Sequence, residues 1–395
     1  MNLMTSLSTV VSESSHWDLF MGGSFLVLFA AIATYAVPVP QGDRRWWGLV
    51  AAIGALVVVG MSAVDGTART VMLDLAAFLA VALVWVQGSA QAVHAARNYL
   101  VLLAAGIAAM TAGLLIAGES VTPPDAPLDH LAVGLLVIGF SLKLAFVPFY
   151  VWLPLVAEAA APMTTALIVA TVDIAAFNEL AHLRTVSPWI FEQYEALWIG
   201  VALLSMFGGA LFALAQRDLK RMLAFSTIDD MGYLLLGVVV GPGVGLEGAL
   251  VGALSHALFK VLLFGSVGLA EHQIGHALTL NDRGLAARCP AATVAFIAGA
   301  LGMIGVPPIF GFAGRWRLYL AGADYGGAWL IGLMALATAL ALIYYVRAIH
   351  TVWLGQPSTP ETPDEPPLAS AVLLTLTVLG LALGLLPSLV TAYVS

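Results

Sequence analysis

Residues Gly139 to Asp173 read GFSLKLAFVPFYVWLPLVAEAAAPMTTALIVATVD, and the fold follows from this stretch. The first apolar run carries one lysine, Lys143, four residues before the pair Val147-Pro148. Proline removes a backbone donor and clashes with the preceding turn, so it breaks a helix. A charge at the centre of a membrane helix costs roughly 3 kcal/mol on insertion scales, and a broken helix at that depth must line a cavity or pack against protein. The stretch therefore predicts an ion-handling element.

The composition predicts a polytopic membrane protein. The chain has 395 residues, of which 61% are hydrophobic and 10% charged, and its mean hydropathy is +0.97. The lipid bilayer is thus its expected surrounding, and the absence of a basic run argues against a nucleic-acid partner. The single cysteine, Cys289, excludes a disulfide framework, an iron–sulfur cluster and a cysteine-rich zinc site. We expect no cofactor in this chain.

Apolar runs of about 20 residues predict about twelve transmembrane helices. They lie near residues 19–37, 46–64, 70–88, 98–118, 130–148, 163–183, 194–215, 222–240, 246–270, 291–321 (broken), 327–354 and 368–392. The connections between them are short, and the segment 356–367 reads as an extended acidic, proline-rich linker. The fold class is therefore an all-α polytopic membrane protein.

The distribution of lysine and arginine predicts the orientation. Basic residues collect in the connections of one side, which the positive-inside rule makes cytoplasmic. They are Arg44, Arg45, Arg97, Arg217, Lys220, Arg221, Arg283, Arg288 and Arg347. The other side has Arg69 and Arg184. With twelve spans, both termini then lie outside a bacterial cytoplasmic (inner) membrane.

The two halves of the chain show a weak internal similarity. Val147-Pro148 interrupts one span and Pro307-Pro308 interrupts another, and each break has a base nearby, Lys143 in the first and Arg315 in the second. Paired broken helices in corresponding positions point to a transport site between repeats.

Six side chains inside or beside apolar spans are candidates for a proton path, because buried acids, lysines and histidines can pass protons. They are Asp74, Lys143, Asp173, His256, Lys260 and Arg315. His256 and Lys260 are four residues apart and share one helix face.

Other interpretations of these residues stay open. Asp74 stands near the start of its span and is also compatible with an interfacial carboxylate at a helix N-terminus. His256 is compatible with a hydrogen-bonded core histidine. Glu271, His272 and His276 give the spacing E-H-x-x-x-H, but a third ligand and a catalytic setting are missing for zinc. We therefore predict no metal site.

Four motifs carry a family resemblance. LKLAFVPFYVWLP, AQRDLKRMLAFSTIDDMGYLLLG, SHALFKVLLFGSVG and GVPPIFGF occur in this order. They resemble the antiporter-like proton-conducting subunits of respiratory complex I, the Mrp-type sodium/proton antiporters, and the membrane subunits of membrane-bound hydrogenases and inorganic-carbon uptake complexes. The similarity runs from about residue 46 to residue 354.

The resemblance implies a fold of two inverted five-helix repeats, each with a broken helix. It divides this chain into an N-terminal segment with one helix (1–45), a first repeat (46–190), a second repeat (191–355), and a linker with a C-terminal helix (356–395). Family members usually have fourteen helices, so two helices before residue 19 have no counterpart here.

The resemblance also assigns residues to the proton path. Asp74 falls where the family usually has a glutamate, and Lys143 falls on the lysine that pairs with it. His256 and Lys260 match a histidine and lysine of the second half.

Two positions depart from the family pattern. Arg315 stands where the family usually has lysine or glutamate. Asp173 stands one or two positions from a lysine that many members carry, and this acid puts the standard lateral route in doubt.

Three functions remain open on the sequence. The chain is a proton-translocating subunit of a larger redox-driven complex, resembling an NADH-quinone oxidoreductase or a hydrogenase, whose redox chemistry belongs to partner subunits. Alternatively it is a non-redox ion antiporter or inorganic-carbon uptake subunit, moving protons or sodium. The third alternative is a non-conducting structural subunit, which Asp173 and the two missing helices favour.

The orientation can be tested by cysteine labelling. A cysteine placed within residues 217–221 should react only with reagents supplied from the cytoplasm, and one within residues 123–129 only with reagents supplied from outside, because basic connections stay cytoplasmic. The opposite pattern would overturn the assignment.

Overall fold

The computed structural model describes residues 16–63, 65–118, 123, 127–241, 243–356 and 365–394, which form helices joined mainly by short connections. Residues 1–15 and most of the proline-rich linker, 357–364, lie outside the described residues, as does the expectation that this linker is extended. The helices are α1 (His16–Ala36), α2 (Arg44–Met61), α3 (Gly66–Trp85), α4 (Ala90–Ala117), α5 (Leu128–Lys143), α6 (Trp152–Ala159), α7 (Pro162–Val186), α8 (Trp189–Glu192), α9 (Glu195–Ala215), α10 (Leu219–Val239), α11 (Val244–Ile274), α12 (Pro290–Ile304), α13 (Gly311–Trp353), α14 (Pro367–Leu385) and α15 (Ser388–Thr391).

The all-helical membrane fold is confirmed, although the number of long spans differs from the prediction. Among the described residues, ten helices are long and apolar enough to cross a membrane. The predicted span 130–148 is the shorter helix α5. The predicted broken span 291–321 is α12 plus the start of α13, which bends at Gly327 (φ 59°) and continues through the next predicted span to Trp353.

Three helices form the centre of the bundle. The apolar stretch of α10 is wholly buried and those of α7 and α11 are 94% buried, whereas only 28% of the stretches in α4 and α14 is buried. The central helices carry acids, a histidine and a lysine, so these charged groups face protein, as charges inside a membrane must.

Both predicted helix breaks are present. Backbone amides and carbonyls that lose their helical hydrogen bonds there bond to other groups of the protein. At the first break α5 ends at Lys143, the Leu142 carbonyl accepts from Trp152 Nε1 at 3.0 Å, and the Val147 amide donates to Ser205 Oγ at 3.0 Å. At the second break α12 ends at Ile304, and the Phe310 amide donates to the Gly380 carbonyl at 3.1 Å. Irregular backbone is stable at this depth because these partners replace water.

Three of the basic residues assigned to one side, Lys220, Arg221 and Arg347, lie near the C-terminal end of α9 and the start of α10. Arg221 pairs with Glu158 at 2.5 Å, and Lys220 donates to the Glu158 carbonyl at 3.2 Å. Arg347 donates to the carbonyls of Leu214 and Gln216 at the C-terminal end of α9. We call this the Arg-rich end.

A buried polar network ties α1 to the opposite end of the bundle. Asp18 on α1 accepts from Arg69 of α3 at 2.8 Å and from Asn178 of α7 at 2.8 Å, and Trp17 Nε1 donates to Asn178 at 3.0 Å. Because each of these bonds is buried, the network fixes how α1, α3 and α7 lie against one another.

Glycine allows α9 and α10 to approach closely. A Cβ atom on Gly209 would lie 2.3 Å from the amide nitrogen of Asp229, and one on Gly232 would lie 2.6 Å from that of Met206. Small residues let membrane helices pack backbone to backbone. This contact sets the position of Asp229 and its neighbour Asp230 inside the bundle.

We expect Gly209→Ala to destabilise the protein by about 1–3 kcal/mol, because the added methyl group overpacks this crossing. Thermal unfolding of the detergent-solubilised protein measures the effect. Gly200→Ala is the matched control on the same helix, since a Cβ atom there meets nothing within 4 Å. Equal unfolding temperatures for the two variants would contradict the expectation.

Candidate proton-transfer site

The first charged cluster consists of Asp74 on α3, Lys143 at the end of α5 and Glu179 on α7. Lys143 Nζ donates to Asp74 Oδ1 at 2.7 Å and to Glu179 Oε2 at 2.8 Å. The Lys143 side chain is only 3% exposed. The ion pair between Lys143 and Asp74, which the family resemblance implied, is therefore present, and Asp74 is not an interfacial cap.

Glu179 is the member of the first cluster that the sequence reasoning missed. It lies in the run NELAHLR, among polar residues near the end of α7, and nothing in its spacing separates it from interfacial side chains. Its presence changes the charge of the cluster. One ammonium group faces two carboxylates, so the cluster carries one surplus negative charge when both acids are ionised.

Asp173 is buried on α7 immediately after a π-helical turn, Ile168–Val172. Within the described part of the chain its carboxylate forms no hydrogen bond or ion pair with Lys143, although α7 packs against both α3 and α11. Such π turns occur frequently at functional sites. Asp173 thus lies on α7 but outside the hydrogen-bonded first cluster.

The second charged cluster consists of Asp230 on α10, His256 on α11 and Arg315 on α13. Asp230 Oδ1 accepts from Arg315 Nη2 at 2.5 Å, and its Oδ2 lies 2.7 Å from His256 Nδ1. An ionised carboxylate only accepts, so the Nδ1–H of the imidazole donates. The guanidinium also donates to the Met303 carbonyl at 2.9 Å and lies 3.7 Å from the centre of the Tyr233 ring. Arg315 therefore links the second helix break to Asp230.

Lys260 lies one turn beyond His256 but forms no hydrogen bond or ion pair with Asp230 in the described residues. Its Nζ donates to Ser226 Oγ at 2.6 Å and to the Leu223 carbonyl at 3.0 Å. The Tyr345 hydroxyl donates to the same Ser226 oxygen at 3.1 Å. Lys260 is fully buried among hydroxyl and carbonyl groups, which solvate an ammonium group without neutralising it.

Asp229 and Asp230 are further acids that the sequence reasoning did not single out, although both stand in a motif that carried the family resemblance. The Tyr344 hydroxyl donates to Asp229 Oδ2 at 3.1 Å. The available signal was their position: two adjacent acids in the middle of a long apolar run, where ionisable residues are functional candidates.

Space around the second cluster is small. Two cavities of about 10 Å³ each border Asp230 and Arg315. A volume of roughly 10–15 Å³ holds one water molecule. His256 Nε2 is buried without a hydrogen-bond partner in the described residues.

A metal centre has no donor set in the described residues. They contain no group of three or more His, Cys, Asp and Glu side chains placed to hold an ion. Glu271, part of the E-H-x-x-x-H spacing, accepts from the Leu278 amide at 3.0 Å and lies 3.7 Å from Lys220 Nζ.

The amino-acid sequence matches a described family model and several named proteins. Residues 124–341, more than half of the chain, match the family model described as "NADH:quinone oxidoreductase/Mrp antiporter, TM". NADH-quinone oxidoreductase subunit N of Desulforudis audaxviator is 32% identical over an alignment covering 93% of this chain and 80% of that protein. Matches to two other proteins described as subunit N cover 58% and 54% of their lengths.

Comparison with solved structures gives the same fold. A chain of the Mrp complex from a Dietzia species superposes with a TM-score of 0.86 at 23% identity, covering 96% of this chain and 82% of that one. A chain of respiratory complex I from Thermus thermophilus superposes with a TM-score of 0.77 at 26% identity, covering 94% and 85%.

We expect Arg315→Lys to be tolerated and Arg315→Ala to be damaging, because lysine keeps a positive charge beside Asp230. Alanine leaves that buried carboxylate with His256 alone, and breaking a buried pair costs roughly 3–5 kcal/mol. Proton transfer in membrane vesicles and the yield of assembled protein measure the effect.

Arg317→Ala is the control, since Arg317 is only partly buried and lies 3.7 Å from Glu247. An Arg315→Ala protein as active as the wild type would remove Arg315 from the path.

Proposed function

We propose that this chain, which belongs to the NADH:quinone oxidoreductase/Mrp antiporter family of membrane proteins, translocates protons as one subunit of a larger redox-driven membrane complex. Its relatives are described as NADH-quinone oxidoreductase subunits, which supports a place in such a complex. The chain takes no part in electron transfer itself, and the redox cofactors belong to partner subunits.

The observation that carries the proposal is Lys143 held between Asp74 and Glu179 at the end of a broken membrane helix. A purely structural ion pair is neutral with one acid and one base. Here a second acid leaves a surplus negative charge in a buried place, which a mobile proton neutralises. Charges of this kind inside spans mark ion pathways.

The two clusters have different chemical roles in the proposal. A proton on Lys143 is held while both carboxylates touch the ammonium group, and withdrawal of one carboxylate favours its release. In the second cluster arginine stays protonated, so Arg315 is a fixed charge that holds Asp230. His256 in this cluster, and Lys260 one turn beyond it, are the groups that exchange protons.

The helix α7 connects the two roles. It packs against α3, which carries Asp74, and against α11, which carries His256 and Lys260. Asp173 directly follows the π turn of α7, and in sequence it stands between Asp74 and His256. We include it in the proton path with Asp74, Lys143, His256, Lys260 and Arg315.

The proposal includes the division of the chain into repeats and its orientation in the membrane. Residues 46–190 and 191–355 are two inverted repeats, and the Arg-rich end faces the cytoplasm, so both termini lie outside the cytoplasmic membrane. Ion-coupled uptake or antiport without redox chemistry, with sodium as the coupling ion, is the alternative, since the Mrp complex shares the fold. An intact-complex mass spectrum separates the two, because flavin or iron–sulfur subunits favour the redox-driven complex.

We expect Lys143→Met to abolish proton transfer while the complex still assembles, because a proton bound by the cluster can no longer pass through the lysine at the break. Asp74→Asn should lower activity less, since Glu179 still holds the ammonium group. The variant that combines both substitutions should stay inactive and assemble better than Lys143→Met, because it leaves one buried carboxylate unpaired, that of Glu179, whereas Lys143→Met leaves two.

The measurement is proton uptake by proteoliposomes that contain the complex, with assembly followed by native gel electrophoresis. Proton uptake by the Lys143→Met complex at the wild-type rate would contradict the proposal.

A further inference from the structure

An apolar groove of about 480 Å³ runs between α1 and α2 on the outer flank of the bundle. Leu26 of α1 and Val59 of α2 border it and are 59% and 52% exposed. Small residues leave the hollow between the two helices, and a Cβ atom on Gly54 would lie 3.4 Å from the Phe29 ring below it. These small residues are Ala30, Ala33, Ala51, Gly54 and Ala55.

The length of the groove fits one lipid leaflet. Its lining on α2 runs from Trp47 to Val59, which is about 18 Å at 1.5 Å per residue. Half of a hydrocarbon core of about 30 Å is about 15 Å, whereas a partner's transmembrane helix would need about 20 residues to cross the whole core. A lipid acyl chain therefore fits the groove better than a spanning helix does.

One end of the groove lies at the Arg-rich end of the bundle. Trp47 lines the groove there and is 39% exposed. Its neighbour Trp46 donates through Nε1 to Thr164 in the first turn of α7 at 2.8 Å, and Lys220 donates to the Ala160 carbonyl just before that helix at 3.4 Å. Tryptophan is enriched at the level of lipid headgroups, so a lipid in the groove would place its headgroup at this end.

The same end carries a positive charge. Arg44 precedes Trp47 by three residues and shares its helix face. Arg45 pairs with Asp43 at 2.9 Å, whereas Arg44 is exposed and forms no hydrogen bond or ion pair within the described residues. Two arginines and one aspartate leave one net positive charge. A guanidinium group binds phosphate oxygens in a bidentate geometry, so Arg44 suits an anionic headgroup.

We propose that this groove binds one acyl chain of an anionic phospholipid from the leaflet at the Arg-rich end, with the phosphate of that lipid at Arg44. The chain fills a hollow whose walls would otherwise lose dispersion contacts. The inference goes beyond the proposed function and does not depend on proton transfer.

Photocrosslinking in proteoliposomes tests the site on the unmodified complex. A phosphatidylglycerol with a diazirine in its acyl chain is incorporated as a tracer, and crosslinked peptides are mapped by mass spectrometry. We expect labelling to concentrate on α1 and α2 along the groove. Unlabelled phosphatidylglycerol should displace the tracer there about fivefold more effectively than phosphatidylethanolamine, because a basic side chain near the headgroup favours an anionic lipid by about that factor.

Substitutions separate the contribution of shape from that of charge. Combining Ala51→Leu with Ala55→Leu should remove most of the groove labelling, because the leucine side chains occupy the hollow. Ala104→Leu on the exposed side of α4 is the matched control. Arg44→Gln should abolish the preference for phosphatidylglycerol but still admit a chain, whereas Arg97→Gln, an exposed arginine of α4, should change neither.

Three outcomes would overturn the site. Labelling spread evenly over the exposed helices would mean bulk lipid only. Equal displacement by the two phospholipids would exclude an anionic headgroup site, and crosslinks from the groove to a partner subunit without lipid labelling would identify a protein occupant. The wild-type map decides these points even if a groove-filling variant fails to fold.

Discussion

The ammonium group of Lys143 lies between the carboxylates of Asp74 and Glu179 at the point where α5 ends inside the bundle. Each of these charges is unstable in a bilayer alone, and together they are stable only because three helices hold them within hydrogen-bond distance. The helix break is part of the same constraint, since it ends α5 at Lys143 and frees backbone groups that neighbouring helices must satisfy.

The rest of the bundle meets this requirement by burying its polar helices and exposing its apolar ones. The central helices α7, α10 and α11 carry most of the other buried charged residues, and the peripheral helices present leucine, valine and alanine to lipid. The buried charges around Asp230 are stabilised in a different way. There Asp230 is shared by an arginine and a histidine, and Lys260 is solvated by Ser226 and a carbonyl instead of an acid.

Sequence reasoning predicted the membrane fold, both helix breaks and the contact between Lys143 and Asp74. These features depend on local properties, hydropathy and proline, or on motifs that keep their order along the chain. It missed Glu179 and Asp230, whose partners are 36 and 85 residues away. Which acid faces which base depends on helix rotation and close glycine crossings such as Gly209 against Asp229, and hydropathy does not encode either.

The central claim is that the first cluster binds and releases a proton on its carboxylates. Infrared difference spectroscopy on the reconstituted complex, recorded as a proton gradient is imposed, measures this directly. The account predicts a carboxylic-acid band that appears with the gradient, persists in Asp173→Asn and disappears when Asp74→Asn and Glu179→Gln are combined. A band unchanged in the combined variant would contradict it.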